Sequence, residues 1–175
     1  MDAEAQPNSD VIGVPAVYPW GRYWATFIDA NLWVVVLAVA VALTLPALLA
    51  NTLVLFLLFA VTYPAAHGFS IALTGTTPGK AAFRSSVVRW DGGRLSLKVA
   101  IRRSYAAWAR GAFAGVPIIG LFAMINAYNE LKEKRTTSWD RDVGAQYVAH
   151  RPAWWSWLLL VATLVLYVWV FSQAE

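Results

Sequence analysis

The sequence predicts an all-α membrane protein with three transmembrane helices, an amphipathic or helical hairpin region over residues 98–129, and a small cytoplasmic β element. Two observations lead to this prediction. Of the 175 residues, 59% are hydrophobic and only 14% are charged, which is too apolar for a soluble domain. Three apolar stretches also reach the roughly 20 residues that a helix needs to cross the hydrocarbon core.

The first two spans are expected to follow a disordered polar tail over residues 1–19. The opening MDAEAQPNSD has neither the basic start nor the apolar stretch of a secretory signal. The first span covers residues 24–45 and is ended by Pro46, and the second covers 52–73. Because the connection PALLAN is so short, these two helices must be antiparallel neighbours.

The third span is predicted over residues 154–172, beyond the domain of residues 20–149. Trp154, Trp155 and Trp157 stand at one end of it, and Trp169 stands near the other. Aromatic residues at both ends of an apolar helix mark the two membrane interfaces.

The region between the second and third spans leaves two topologies open. Its first part, LSLKVAIRRSYAAWAR, has the basic face of a helix that lies in the interface. Its second part, residues 111–129, is uncharged and long enough to cross, yet it contains three glycines and a proline. A hairpin would keep all fourteen Lys and Arg residues cytoplasmic, whereas a crossing would place five of them outside. The positive-inside bias favours the hairpin.

The β element is predicted from two short stretches on either side of this region. SSVVRWDGGRLSL contains a DGG turn signal, and AQYVAH is rich in residues that favour strands. No internal repeat is visible in the sequence.

Asp29 is the first candidate functional residue, because a carboxylate inside an apolar span is costly without a partner or a use. Arg22 precedes it by seven residues, so both side chains project from one helical face. One interpretation is a proton- or cation-binding carboxylate with Arg22 as a basic gate. The other is an interhelical ion pair that only anchors the helix.

The second span carries a polar stripe of Tyr63, His67, Ser70 and Thr74, spaced by four, three and four residues. His67 and Asp29 lie at similar distances from the cytoplasmic ends of their helices. A proton-exchanging Asp–His pair is one interpretation of this placement. The alternative is a histidine hydrogen-bonded to a carbonyl, in a stripe that only holds helices together.

The basic residues of the loops predict contact with anionic lipid headgroups and no nucleic acid. The residues expected at the headgroups are Lys80, Lys98, Arg102, Arg103 and Arg110. The absence of cysteine excludes disulfides, and with only two histidines no protein-built zinc site is expected. GTTPGKAAFR lacks the spacing of a Walker loop, and no nucleophile elbow or dinucleotide turn occurs. The sequence therefore predicts neither an enzyme nor a cofactor or metal site.

An ordered set of motifs resembles the RDD family of bacterial membrane proteins. The motifs are RYWATFID, GTTPGK, VVRWDGGRLSL, AIRRSYAAWAR and TTSWDRDVGAQYV. Arg22, Asp29 and Asp140 match the family's arginine and aspartates, so Asp140 joins the candidate ion- or proton-binding residues. The pair Gly79-Lys80 matches the family's glycine-lysine pair, and Asp91-Gly92 matches its turn. Arg102 or Arg103 matches the family's helix arginine. The chain departs from the family at Val143-Gly144-Ala145, where members usually have Ala-Gly-Thr.

The resemblance implies a small helical membrane domain, and sodium(lithium)/proton antiport has been attributed to members of the family. The function predicted is therefore that of a small transporter or ion (sodium/proton) exchanger in the bacterial inner membrane, using Asp29. Three spans and a hairpin do not easily enclose a pathway, so a homo-oligomer is expected. The alternative is a non-transporting accessory, assembly or structural subunit of a larger membrane complex.

Overall fold

A computed structural model describes residues 18–111 and 117–172 of the chain, so the predicted tail lies almost wholly outside the described residues. The described part is mostly helical and contains one small two-stranded sheet, as predicted. Its elements in order are α1 (Pro19–Thr44), a 3-10 turn (Pro46–Ala50), α2 (Thr52–Thr74), α3 (Pro78–Ala82), β1 (Ser85–Arg89), α4 (Leu97–Gly111), α5 (Pro117–Lys134), α6 (Ser138–Arg141), β2 (Ala145–Ala149) and α7 (Trp154–Ser172).

Two helices, α1 and α2, are long and apolar enough to cross a membrane. They run antiparallel, because Asp29 lies near His67 while Trp33, one turn further along α1, donates a hydrogen bond to Thr62. Their outer surfaces are largely unpacked, as lipid-facing surfaces are. Helix α7 occupies the predicted third span, but its described apolar part ends at Val165. Among the described residues, two of the three predicted spans therefore meet this criterion, and the third stays a prediction.

Helix α4 packs along the C-terminal half of α2 and does not lie free at an interface. Tyr105 donates a hydrogen bond to the carbonyl of Val61, and Arg94, just before α4, donates to the carbonyl of Leu73. The two helices therefore run antiparallel. Gly68 allows this contact, because a Cβ there would lie 2.6 Å from the Cα of Ile101.

Strands β1 and β2 form an antiparallel pair in which Val87 lies opposite Tyr147. The predicted pairing of these two stretches is therefore confirmed. A small apolar core links the sheet to α2 and α4; it consists of Ile71, Val87, Leu95, Ala100 and Ala145.

The structure reveals an internal repeat that the sequence does not show. After α2 and again after α5, the chain has a residue with positive φ, two threonines, a short helix and a strand. Residues 75–89 correspond to 135–149 at a constant offset of 60, since α3 begins at 78 and α6 at 138. Only Thr76, Thr77 and Val88 recur as identical residues, at 136, 137 and 148. The repeat is not visible in the sequence because the two copies share backbone conformation and few side chains.

Candidate functional site

Asp29 lies nearly three turns inside α1, and the residue is only 6% exposed. Its Oδ2 accepts a hydrogen bond from the Thr77 hydroxyl at 2.5 Å, and its Oδ1 accepts one from the Gly79 backbone N–H at 2.6 Å. The approach requires glycine, because a Cβ at position 79 would lie 2.0 Å from the carbonyl oxygen of Ala25. The TTPG turn therefore folds back against α1 and holds the carboxylate.

Lys80 and His67 complete this cluster. The Lys80 ammonium lies 3.7 Å from Asp29 Oδ2 and 2.6 Å from His67 Nε2, and His67 Nε2 is 4.0 Å from Asp29 Oδ2. A charged lysine only donates, so His67 Nε2 must accept and the ring proton must sit on Nδ1. Nδ1 can then donate to the Ser104 hydroxyl, 3.0 Å away. The predicted proximity of Asp29 and His67 is observed, but Lys80 also contacts both side chains.

Burial lowers the pKa of Lys80 to about 8, with Arg103 and Arg22 acting in the same direction and Asp29 opposing them. Lys80 thus holds its proton at neutral pH but releases it far more readily than an exposed lysine.

Asp140 forms a second buried cluster, to which Arg22 belongs. Its Oδ2 accepts from Arg22 Nη2 at 2.6 Å and from the Thr137 hydroxyl at 2.7 Å, and its Oδ1 accepts from Arg103 Nε at 2.6 Å. Burial alone would raise the pKa of Asp140, but Arg103 and Arg22 outweigh it and lower the pKa to about 2. Arg22 is therefore a partner of Asp140, whereas Asp29 pairs with Lys80, and the role of Arg22 as a gate stays a prediction.

The two clusters occupy equivalent places in the repeat with their charges reversed. Lys80 and Asp140 correspond at the offset of 60, and so do the threonines Thr77 and Thr137, which contact the carboxylates. In the first copy the short helix carries the cation and pairs with Asp29 of α1. In the second it carries the anion and pairs with Arg103 of α4 at 2.5 Å.

The other members of the predicted polar stripe do not join either cluster. Ser70 and Thr74 donate hydrogen bonds to the carbonyl of Thr76 and so hold the turn after α2. Tyr63 donates a long hydrogen bond of 3.5 Å to the carbonyl of Thr26 in α1. These residues hold structural elements together.

Two of the five basic residues expected at lipid headgroups are buried. Lys80 and Arg103 are 2% and 1% exposed and form the internal ion pairs described above, so their predicted placement was wrong. Arg110 is exposed and pairs with Asp142 at 2.7 Å. Lys98 and Arg102 are exposed on the outer face of α4.

Sequence reasoning missed the roles of Thr77, Thr137 and Ser104. The signal for the threonines was the recurrence of Thr-Thr before a short helix, 60 residues apart. Ser104 gave no signal, because its contact with His67 depends on the packing of α4 against α2.

A comparison with protein-family models gives a match to the RDD family over residues 16–144, which is well over half of the chain. This confirms the resemblance drawn from the motifs. No curated protein and no solved structure matches the chain.

Proposed function

The chain belongs to the RDD family, and from that membership we propose that it is a multi-pass protein of the bacterial inner membrane that exchanges sodium ions for protons at Asp29. The observation that carries this proposal is a buried carboxylate inside a candidate span, 3.7 Å from an ammonium that can lose its proton. We propose no enzymatic activity.

The pairing of β1 with β2 supports a topology of three spans and a returning hairpin. Paired strands must lie on one side of the membrane, so the chain between Arg89 and Ala145 begins and ends on the same side. Helices α4 and α5 then cross an even number of times, or not at all. Together with the positive-inside bias, this supports a topology in which all fourteen Lys and Arg residues are cytoplasmic.

Cysteine labelling tests this topology, since the chain has no cysteine of its own. Single cysteines replacing Asp91 and Glu133 are expected to react with an impermeant reagent only from the cytoplasmic side. A cysteine replacing Ala50, between α1 and α2, should react only from the opposite side. Labelling of the Glu133 and Ala50 positions from the same side would contradict the hairpin.

The proposed exchange follows from the chemistry of three side chains. With Lys80 charged, its ammonium balances Asp29 and leaves no net attraction for a second cation. When Lys80 releases its proton to water, its neutral amine stays beside His67 Nε2, 2.6 Å away, and the Asp29 carboxylate is left without a balancing cation. A sodium ion then takes the place of the ammonium charge, and the return of the proton to Lys80 displaces it. One proton therefore exchanges for one sodium ion.

The proposed partners are lipid and further copies of the chain. Lys98 and Arg102 remain exposed on α4 and can contact anionic headgroups, where each contributes about 1 kcal/mol. We propose a homo-oligomer, because so few spans do not readily enclose a pathway.

The Asp29→Asn variant tests the exchange. Purified protein in vesicles is expected to show sodium-driven proton movement, with a rate that rises as the pH passes about 8 and Lys80 loses its proton. Asp29→Asn should abolish the movement. The variant should stay folded, because Lys80, left without its carboxylate partner, can become neutral by releasing a proton.

The matched control is Asp91→Asn, which removes an exposed carboxylate from the turn after β1 and should leave the rate unchanged. Normal exchange by a folded Asp29→Asn variant would contradict the role of Asp29. No exchange by the unaltered protein would favour the accessory-subunit alternative.

A further inference from the structure

The Arg22–Arg103–Asp140 cluster carries an excess positive charge. Two guanidinium groups meet one carboxylate, and their side chains are 12%, 2% and 1% exposed respectively. Arginine does not release its proton in proteins, so the excess is not relieved by titration. An uncompensated buried charge is strongly unfavourable, so the cluster calls for a further anion.

The hydrogen bonds of the cluster also indicate that an acceptor, such as an anion, would be favourable there. Asp140 already accepts from Arg22, Arg103 and Thr137, which occupy its lone pairs. Arg22 Nη1 is buried and has no acceptor among the described residues. The same holds for Trp139 Nε1, whose ring centroid lies 5.5 Å from Arg22 Cζ. Both groups are N–H donors, so an acceptor is what this neighbourhood lacks.

A cavity of about 240 Å³ adjoins the cluster. Asp140 and Tyr147 line it, and Arg22 contacts both residues, with its Cζ 4.6 Å from the Tyr147 ring centroid. Thr136 and Gln146 add polar groups to the wall. The exposed Lys134 and Arg135 add two positive charges, of which the Lys134 ammonium also lies 3.7 Å from Glu130. Arginine, lysine and hydroxyl donors are the groups that bind phosphate oxygens in proteins.

We propose that this cavity is a binding site for a phosphate oxyanion, which balances the excess charge of Arg22 and Arg103. Two sources share this chemistry: inorganic phosphate from the cytoplasm and the phosphodiester of an anionic lipid headgroup. The site is separate from the Asp29 cluster, and the proposal does not depend on ion exchange.

Binding is measured on the full chain. Delipidated protein in a neutral detergent is dialysed against radiolabelled inorganic phosphate, and protein in phosphatidylcholine nanodiscs is titrated with fluorescent phosphatidylglycerol. We expect saturable binding with one site per chain in at least one assay. If phosphatidylglycerol displaces bound phosphate or binds alone, the headgroup is the source. If only inorganic phosphate binds, the source is the soluble anion.

Variants tie the binding to the cavity. Lys134→Gln should weaken binding about tenfold, because it removes one charged donor. Lys132→Gln is the matched control: it removes the same charge from the same helix but does not line this cavity. The proposal is overturned if neither probe binds saturably, or if binding is equal in the Lys134→Gln and Lys132→Gln variants.

Discussion

Replacing Asp140 with asparagine is expected to lower the free energy of unfolding by about 3–5 kcal/mol, because it leaves two buried guanidinium groups without their carboxylate partner. Arg22 and Arg103 both lie within 2.6 Å of the carboxylate, and neither can relieve its charge by losing a proton. For a chain of this length the loss corresponds to a fall in melting temperature of roughly 6–20 °C. Thermal unfolding in detergent measures it.

Asp142→Asn is the control, because Asp142 pairs with Arg110 in an ion pair whose side chains are almost half exposed. That change should cost less than about 1 kcal/mol. Combining Asp140→Asn with Arg103→Met should restore part of the lost stability, since one stranded charge is removed. Equal melting temperatures for Asp140→Asn and Asp142→Asn would contradict the buried cluster.

The pH dependence of stability follows from the same contacts. The folded pKa of Asp140 is about 2, below its usual 3.8, so the folded state favours the ionised carboxylate. The stability contributed by Asp140 is therefore fully present above pH 3.8 and is lost as the pH falls through about 2. The Asp140→Asn variant should lack this acid-dependent loss.

The sequence was sufficient to predict α1 and α2, because two long apolar stretches and a short connection leave few alternatives. The spans predicted over 24–45 and 52–73 differ from α1 and α2 mainly at the start of α1, which begins at Pro19. The two strands followed from β-prone residues beside a turn signal, and their pairing was correctly expected. These are local features, read from periodicity and turn residues.

The candidate site was only partly predictable, because its partners come from different parts of the chain. Periodicity indicated that Asp29 and His67 lie at one depth, but it carried no information on where the turn after α2 folds. Lys80 was expected in water near headgroups, and only the close approach of Gly79 to α1 brings it inside. The placement of Arg103 was wrong for a related reason. The sequence of α4 indicates a basic face towards the lipid headgroups, and it carries no information on how α4 packs on α2.

Replacing Gly79 with alanine is expected to disrupt the Asp29 site without removing any titratable group. The new Cβ would lie 2.0 Å from the backbone oxygen of Ala25, which is fixed in α1 and cannot rotate away. Helix α3 must then shift, at a cost of about 1–3 kcal/mol for overpacking. The shift also breaks the hydrogen bond from the Gly79 N–H to the Asp29 carboxylate, which adds about 1.5–3 kcal/mol.

Gly21→Ala is the matched control, because a Cβ at this buried position of α1 meets its nearest atoms at an ordinary 3.6 Å. That change should be neutral or slightly stabilising, since alanine favours the helix by about 1 kcal/mol over glycine. Melting temperature and sodium-driven proton movement are measured on both variants. Gly79→Ala should lower both quantities, because Lys80 moves with α3 away from Asp29. A Gly79→Ala protein as stable as Gly21→Ala would mean that α3 does not pack against α1. Reduced stability with a normal exchange rate would mean instead that Lys80 need not lie beside Asp29 for exchange.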